Sequence, residues 1–102
     1  MAEIKITETN FASEVLASDR PVLLDFWASW CGPCMMLGPV LSDFAKRHPE
    51  IKVGKVNVDE EANLAVMHRV MSIPSLFVYK NGKIVNQTVG LQDEAGLEAL
   101  VR

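Results

Sequence analysis

Val22-Leu23-Leu24-Asp25-Phe26-Trp27-Ala28-Ser29-Trp30-Cys31-Gly32-Pro33-Cys34 decides how this chain reads. Its first seven residues are apolar on both parities except for Asp25. That is the habit of a strand covered on both faces, in a parallel or mixed sheet with helices on each side. Both cysteines of the chain follow, three positions apart, and then a helical pattern begins. Leu37, Val40, Leu41, Phe44 and Ala45 share one helical face, and the pattern ends around His48-Pro49. Pro39 lies inside this helix and is expected to kink it, since it lacks a donor and crowds the preceding turn. Two thiols at this separation on a first helical turn lie roughly 5–6 Å apart at Cβ. A disulfide can bridge that gap with little backbone movement. The stretch suggests a dithiol that closes and reopens.

Working outward, Ile4 and Ile6 alternate with Lys5 and Thr7 as a short edge strand should. Asn10 is placed to cap a helix with Phe11, Val15 and Leu16 on its apolar face, ending before Asp19-Arg20-Pro21. Ile51 to Asp59 reads as a valine-rich strand containing Lys55. Glu60-Glu61-Ala62 opens a helix running to about Val70, with acidic side chains at the end that suits the helix dipole. Ser75–Lys80 and Ile84–Val89 flank Asn81-Gly82, a strong hairpin signal. Asp93 can cap a last short helix carrying Leu97, Leu100 and Val101. The predicted order is β-α-β-α-β-α-β-β-α, an α/β fold with parallel crossovers first and an antiparallel hairpin last.

At 102 residues the chain is expected to form one domain over 1–102. Apolar residues make up 49% and charged residues 23%, which argues against a disordered chain. A net charge of −3 without a basic run gives no reason to expect a nucleic-acid partner. No apolar run approaches the ~20 residues of a membrane span. Met1-Ala2-Glu3-Ile4-Lys5 lacks the charged-then-apolar pattern of a secretory signal, so the expected location is cytoplasmic. Thiols are kept reduced there, which makes a C-x-x-C pair catalytic or metal-binding in preference to a structural brace. A four-cysteine zinc site would need a second chain, and neither His48 nor His68 is near the pair in sequence. No metal is expected. His48 reads as a helix-end residue, His68 as part of a polar helix face, and Asp59-Glu60-Glu61 as a solvated helix start.

The two cysteines are unequal in this reading. Cys31 lies at the helix N-terminus, where unpaired N–H groups and the dipole stabilise a thiolate. It should be exposed and anionic, and so the nucleophile. Cys34, one turn inward, should be less exposed and would resolve the mixed disulfide. Gly32 lets a partner backbone come close, and Pro33 suits a first helical turn because no donor is lost there. Asp25, between Leu24 and Phe26, should have its pKa raised by desolvation, with Lys55 as its natural charge partner.

Trp30-Cys31-Gly32-Pro33-Cys34 after an apolar strand, Ile73-Pro74 before another, and Asn81-Gly82 in the hairpin together resemble the thioredoxin family. The resemblance spans essentially the whole chain. It implies the thioredoxin fold: a three-layer α/β/α sandwich around a five-stranded mixed sheet. It implies protein-disulfide reduction through reversible formation of the Cys31–Cys34 disulfide. Asp25 would accept the Cys34 proton through water, with Lys55 completing the catalytic set, and Gly32-Pro33 would tune the potential toward the reducing end. The Ile73-Pro74 bond would be cis and pack beside the disulfide, where an extended substrate segment could add like a short strand. Trp30, Met71, Ile73, Pro74 and Gly90 would form the substrate-docking surface. No cofactor is needed within the chain, because electrons enter and leave through the two sulfurs. A thioredoxin reductase would recharge a monomer acting on disulfide-containing proteins. One departure stands out: Met35 and Met36 occupy positions where a basic residue is common in relatives. Rival readings are an oxidase or isomerase sharing the motif, a binding module using the same apolar rim, and a metal-bridged dimer.

Overall fold

In the computed structural model, residues 3–102 are described. Met1 and Ala2, part of the N-terminal stretch read for a signal, lie outside them. The strands are β1 (Glu3–Lys5), β2 (Val22–Trp27), β3 (Lys52–Asn57), β4 (Ser75–Lys80) and β5 (Lys83–Val89). The helices are α1 (Gly32–Arg47), α2 (Ala62–Met67) and α3 (Glu94–Val101). The sheet order is β1-β3-β2-β4-β5. β3 pairs in parallel with β1 and β2, and β4 runs antiparallel to both β2 and β5. This is the mixed sheet expected from the doubly apolar β2, which lies at its centre.

The alternation of side chains along each strand divides the core in two. Leu23, Val53, Leu76 and Val78 pack with Leu37, Leu41 and Phe44 of α1 and with Leu97 and Leu100 of α3. Val22, Leu24, Phe26, Val56, Phe77 and Tyr79 point the other way, to Phe11, Val15 and Leu64. Each fully buried Leu, Val or Phe contributes roughly 1.5–3 kcal/mol, so the two faces of β2 anchor the fold. Asp25 and Lys55 have the parity of Leu23 and Val53 and therefore lie on the α1 side.

Several local expectations need correction. Asn10 does not cap a helix forward: its Oδ1 accepts from the Thr7 amide at 2.7 Å and its Nδ2 donates to the Lys5 carbonyl at 2.9 Å. With the side chain engaged by backbone behind it, the residues after it form only a five-residue π-helical segment, Ala12–Leu16. Leu16, predicted on its apolar face, is exposed. α2 stops at Met67, short of Val70, because Arg69 turns left-handed with φ 54°. β3 is also shorter than Ile51–Asp59. Other signals hold: Asp93 caps α3 by accepting from the Gly96 amide at 2.8 Å. Asn81 and Gly82 both have positive φ, 54° and 76°, as the twisted two-residue hairpin turn demands.

Candidate active site

The end of β2 delivers Ala28 to a turn, and α1 begins at Gly32 with Cys31 as its N-cap. Cys31 holds an extended backbone, and its sulfur accepts from the Cys34 amide at 3.2 Å. That amide is one of the donors a helix start leaves unpaired, so the first turn itself supplies a stabiliser for negative charge on sulfur. Pro33 occupies the first turn, where its missing N–H costs nothing. Cys31 and Cys34 are joined as a disulfide with their Cα atoms 5.2 Å apart.

Cys31 is less open than expected. The residue is 5% exposed and Cys34 3%. In the closed disulfide both sulfurs sit in an apolar cluster with Ala28, against Trp27, Val58 and Ile73. The Ile73-Pro74 bond is cis, and the Ile73 carbonyl oxygen lies 3.7 Å from the Cys31 sulfur. Gly90, with φ 102°, donates its amide to the Pro74 carbonyl at 2.8 Å and ties the end of β5 to this loop. Trp30, Met35 and Met36, which flank the pair in sequence, and Met71 are all exposed, Met71 at 94%. Beside them a groove of about 190 Å³ is lined by Trp30, Val58, Ala65, Val70, Met71 and Ile73.

Asp25 lies on the α1 face of β2. It is 1% exposed, and neither carboxylate oxygen has a hydrogen-bond partner among the described residues. Burial pushes its pKa up to about 7, against the opposing pull of Lys55 and with a smaller push from Glu3. Lys55 is its register partner on β3, with Nζ 3.9 Å from Asp25 Oδ2. The same ammonium sits 4.9 Å from the centre of the Trp27 ring, which shares its charge. Trp27 and Lys55 line an open cleft of about 380 Å³ with Glu3, Ile4 and Asn57.

The thioredoxin family model matches residues 2–102. The chain belongs to the thioredoxin family. It is 51% identical over 85 residues to a thioredoxin of Chlorobaculum thiosulfatiphilum, covering 82% of this chain and 79% of that one. It is 44% identical over 99 residues to a thioredoxin of Alicyclobacillus acidocaldarius, covering 96% and 93%. A Mycobacterium bovis thioredoxin matches at 45% over 97 residues, 94% of this chain and 84% of that one. Together with the closed Cys31–Cys34 pair, membership makes this chain a thiol–disulfide oxidoreductase, a protein-disulfide reductase of the thioredoxin type. Among the described residues, no helix is long and apolar enough to cross a membrane.

Two residues of this thioredoxin-family chain escape the sequence reading. Asp59 is not merely part of a solvated helix start: its Oδ2 accepts from the Trp30 indole at 2.9 Å and holds that exposed ring. A contact across 29 residues leaves no periodic signal. His68 is not on a polar face but 8% exposed among aromatic rings. Its spacing of four from the apolar Leu64, on one helical face, is the available sign. His48 does sit at a helix end, its ring nitrogens 3.3 Å from Glu50 and 3.1 Å from Glu98.

Proposed function

We propose that the two cysteines divide the labour, with Cys31 as nucleophile and Cys34 as resolving thiol. The observation that carries this is the Cys34 amide donating to the Cys31 sulfur, because it favours the thiolate at the outer position. The Cys31 thiolate attacks one sulfur of a protein disulfide. A mixed disulfide forms, and the other substrate sulfur leaves as thiolate and takes a proton. Cys34 then gives its proton, through water, to the Asp25 carboxylate and attacks the Cys31 sulfur, releasing the second substrate thiolate. Two electrons have moved from the dithiol to the substrate, and Cys31–Cys34 is closed.

Asp25 serves as proton acceptor because a carboxyl held near 7 takes up and gives back a proton in the neutral range. Lys55, through its charge, keeps that value from rising further. Gly32-Pro33 fixes the turn between the sulfurs. Substrate docks on Trp30, Met71, Ile73, Pro74 and Gly90, its extended segment beside the cis peptide, and the methionines give a surface that adapts to many partners. The domain spanning 1–102 acts as a monomer without a bound cofactor. A thioredoxin reductase returns the electrons, and a reducing cytoplasm is the compartment in which such a dithiol is kept open.

Trapping tests the division of labour. Cys34→Ser, incubated with a disulfide protein, should accumulate a covalent adduct through Cys31, and Cys31→Ser should accumulate none. No adduct with Cys34→Ser, or equal adducts with both variants, would overturn it.

A further inference from the structure

His68 is the buried titratable group that the disulfide chemistry leaves unused. It lies just past the last turn of α2, where its Nδ1 lies 2.8 Å from the Leu64 carbonyl oxygen. A carbonyl only accepts, so Nδ1 carries the hydrogen in the neutral ring. Nε2 is then an acceptor, and it takes the hydroxyl of Tyr79 at 2.6 Å. The ring is packed by Phe26, Phe77 and Phe11, with centroids at 4.7, 5.1 and 5.6 Å. None of these is charged. The titratable group facing His68 is Tyr79 on β4, and burial raises its pKa, so it remains a donor.

The chain leaving His68 forms the wall of the docking groove. Arg69, exposed and left-handed, turns it out of α2. Val70 and Ile73 pack against the core cluster that includes Phe11, Phe26, Phe77 and Tyr79, and both line the groove with Met71. The groove wall thus rests on the same core cluster that holds Tyr79 and the rings around His68. We infer that the His68–Tyr79 hydrogen bond makes His68 a positioning residue for substrate docking, holding the 69–73 loop, and that ring protonation releases it. A proton on Nε2 turns that acceptor into a donor, leaves the Tyr79 hydroxyl without its partner and puts charge among apolar rings. The same desolvation lowers the pKa of His68, which confines the release to acid.

This inference rests on the docking role proposed for the groove, and the test separates the two. Asp25→Asn is compared with Asp25→Asn/His68→Phe/Tyr79→Phe, from about pH 5 to about pH 8. The paired phenylalanines remove both polar partners together, which cores tolerate far better than removing one. Amide-exchange protection of residues 69–73 should fall in acid in the first chain and stay constant in the second. Protection that falls alike in both overturns the link. In single-turnover reduction of insulin, loss of the Cys31 thiolate in acid slows both chains alike. The ratio of their kcat/KM values should therefore fall by roughly threefold or more toward acid pH. A constant ratio overturns the positioning role. Met71→Ser, run in parallel, should raise KM. If it leaves KM unchanged while exchange responds, the docking reading is what has failed.

Discussion

Lys55 Nζ stands 3.9 Å from Asp25 Oδ2, on the neighbouring strand and in direct register, yet it does not keep that carboxyl acidic. Desolvation outweighs the ion pair. Asp25 is 1% exposed and has no hydrogen bond from any described donor, so its charge is met only by an ammonium beyond hydrogen-bond reach. A carboxyl in that position carries a cost in stability at neutral pH.

That cost has a definite pH window. The folded pKa, about 7, lies above the ordinary 3.8, so the folded state holds its proton more tightly than the unfolded chain. Below 3.8 both states are protonated and the penalty is absent. It grows as pH rises to about 7 and is constant above. The gap between 3.8 and about 7 corresponds to on the order of 4 kcal/mol. Asp25→Asn stays neutral, so the oxidised variant should be more stable than the parent at about pH 8 and equal to it near pH 4. Denaturant unfolding at several pH values measures this, and an unchanged difference across the range refutes it.

Lys55→Met should act in the opposite direction on the same carboxyl. Without the ammonium, the pKa of Asp25 rises further above 7, and less carboxylate is present at neutral pH for the proton-acceptor role proposed for it. Resolution of a preformed mixed disulfide should slow at about pH 7 by roughly two- to tenfold and recover at higher pH. A carboxyl titration followed by NMR should move upward. A downward or absent movement would show that Lys55 does not face Asp25 in solution.

The sequence made these features unequally legible. Asp25 is visible as a carboxylate between Leu24 and Phe26, because burial of a doubly apolar strand is a local property. Cys31 at a helix start, the Asn81-Gly82 turn and the Asp93 cap are local in the same way. Three things are not legible in this way. Asn10 reads as a forward cap and instead reaches back to Lys5 and Thr7, and both choices satisfy the same chemistry. Asp59 meets Trp30 only because β3 ends beside the β2–α1 turn. The low exposure of Cys31 depends on Ile73, more than forty positions away, closing over the disulfide.

The Trp30–Asp59 bond gives a prediction of its own. The indole is 70% exposed, so one hydrogen bond at 2.9 Å does much to fix where it stands. Asp59→Ala frees the ring to sample other rotamers, and docking must then order it again. KM for a protein disulfide should rise roughly two- to fivefold with kcat unchanged, while stability changes by less than about 0.5 kcal/mol. A fall in kcat at constant KM would instead place Asp59 in the chemistry.

Gly82 tests the hairpin in the same spirit. Its φ is 76°, and a Cβ there would lie 2.9 Å from the Leu16 carbonyl oxygen, which is backbone and cannot step aside cheaply. Gly82→Ala should destabilise by about 1–3 kcal/mol and lower the melting temperature without changing the specific activity of the folded fraction. Gly90→Ala offers the contrast. Its φ is 102° but nothing lies near its would-be Cβ, so only backbone strain should count and the loss should be smaller.

Met35 bears on how acidic the Cys31 thiol is. It stands directly after Cys34, 54% exposed, so a charge introduced there projects into solvent near the α1 start. In the reduced protein a Cys31 thiolate would draw on the Cys34 amide and the helix dipole, with no cationic side chain in the first turn to add to them. A nearby cation favours the thiolate, although water and salt screen it at this exposure. Met35→Lys should therefore raise the rate of Cys31 alkylation by iodoacetamide at about pH 6 by roughly two- to fivefold, an effect that shrinks at high salt. Met35→Gln, of similar shape and no charge, should leave the rate unchanged. Equal acceleration by both variants would mean that side-chain bulk over the Cys31 thiol, and not charge, governs its reactivity.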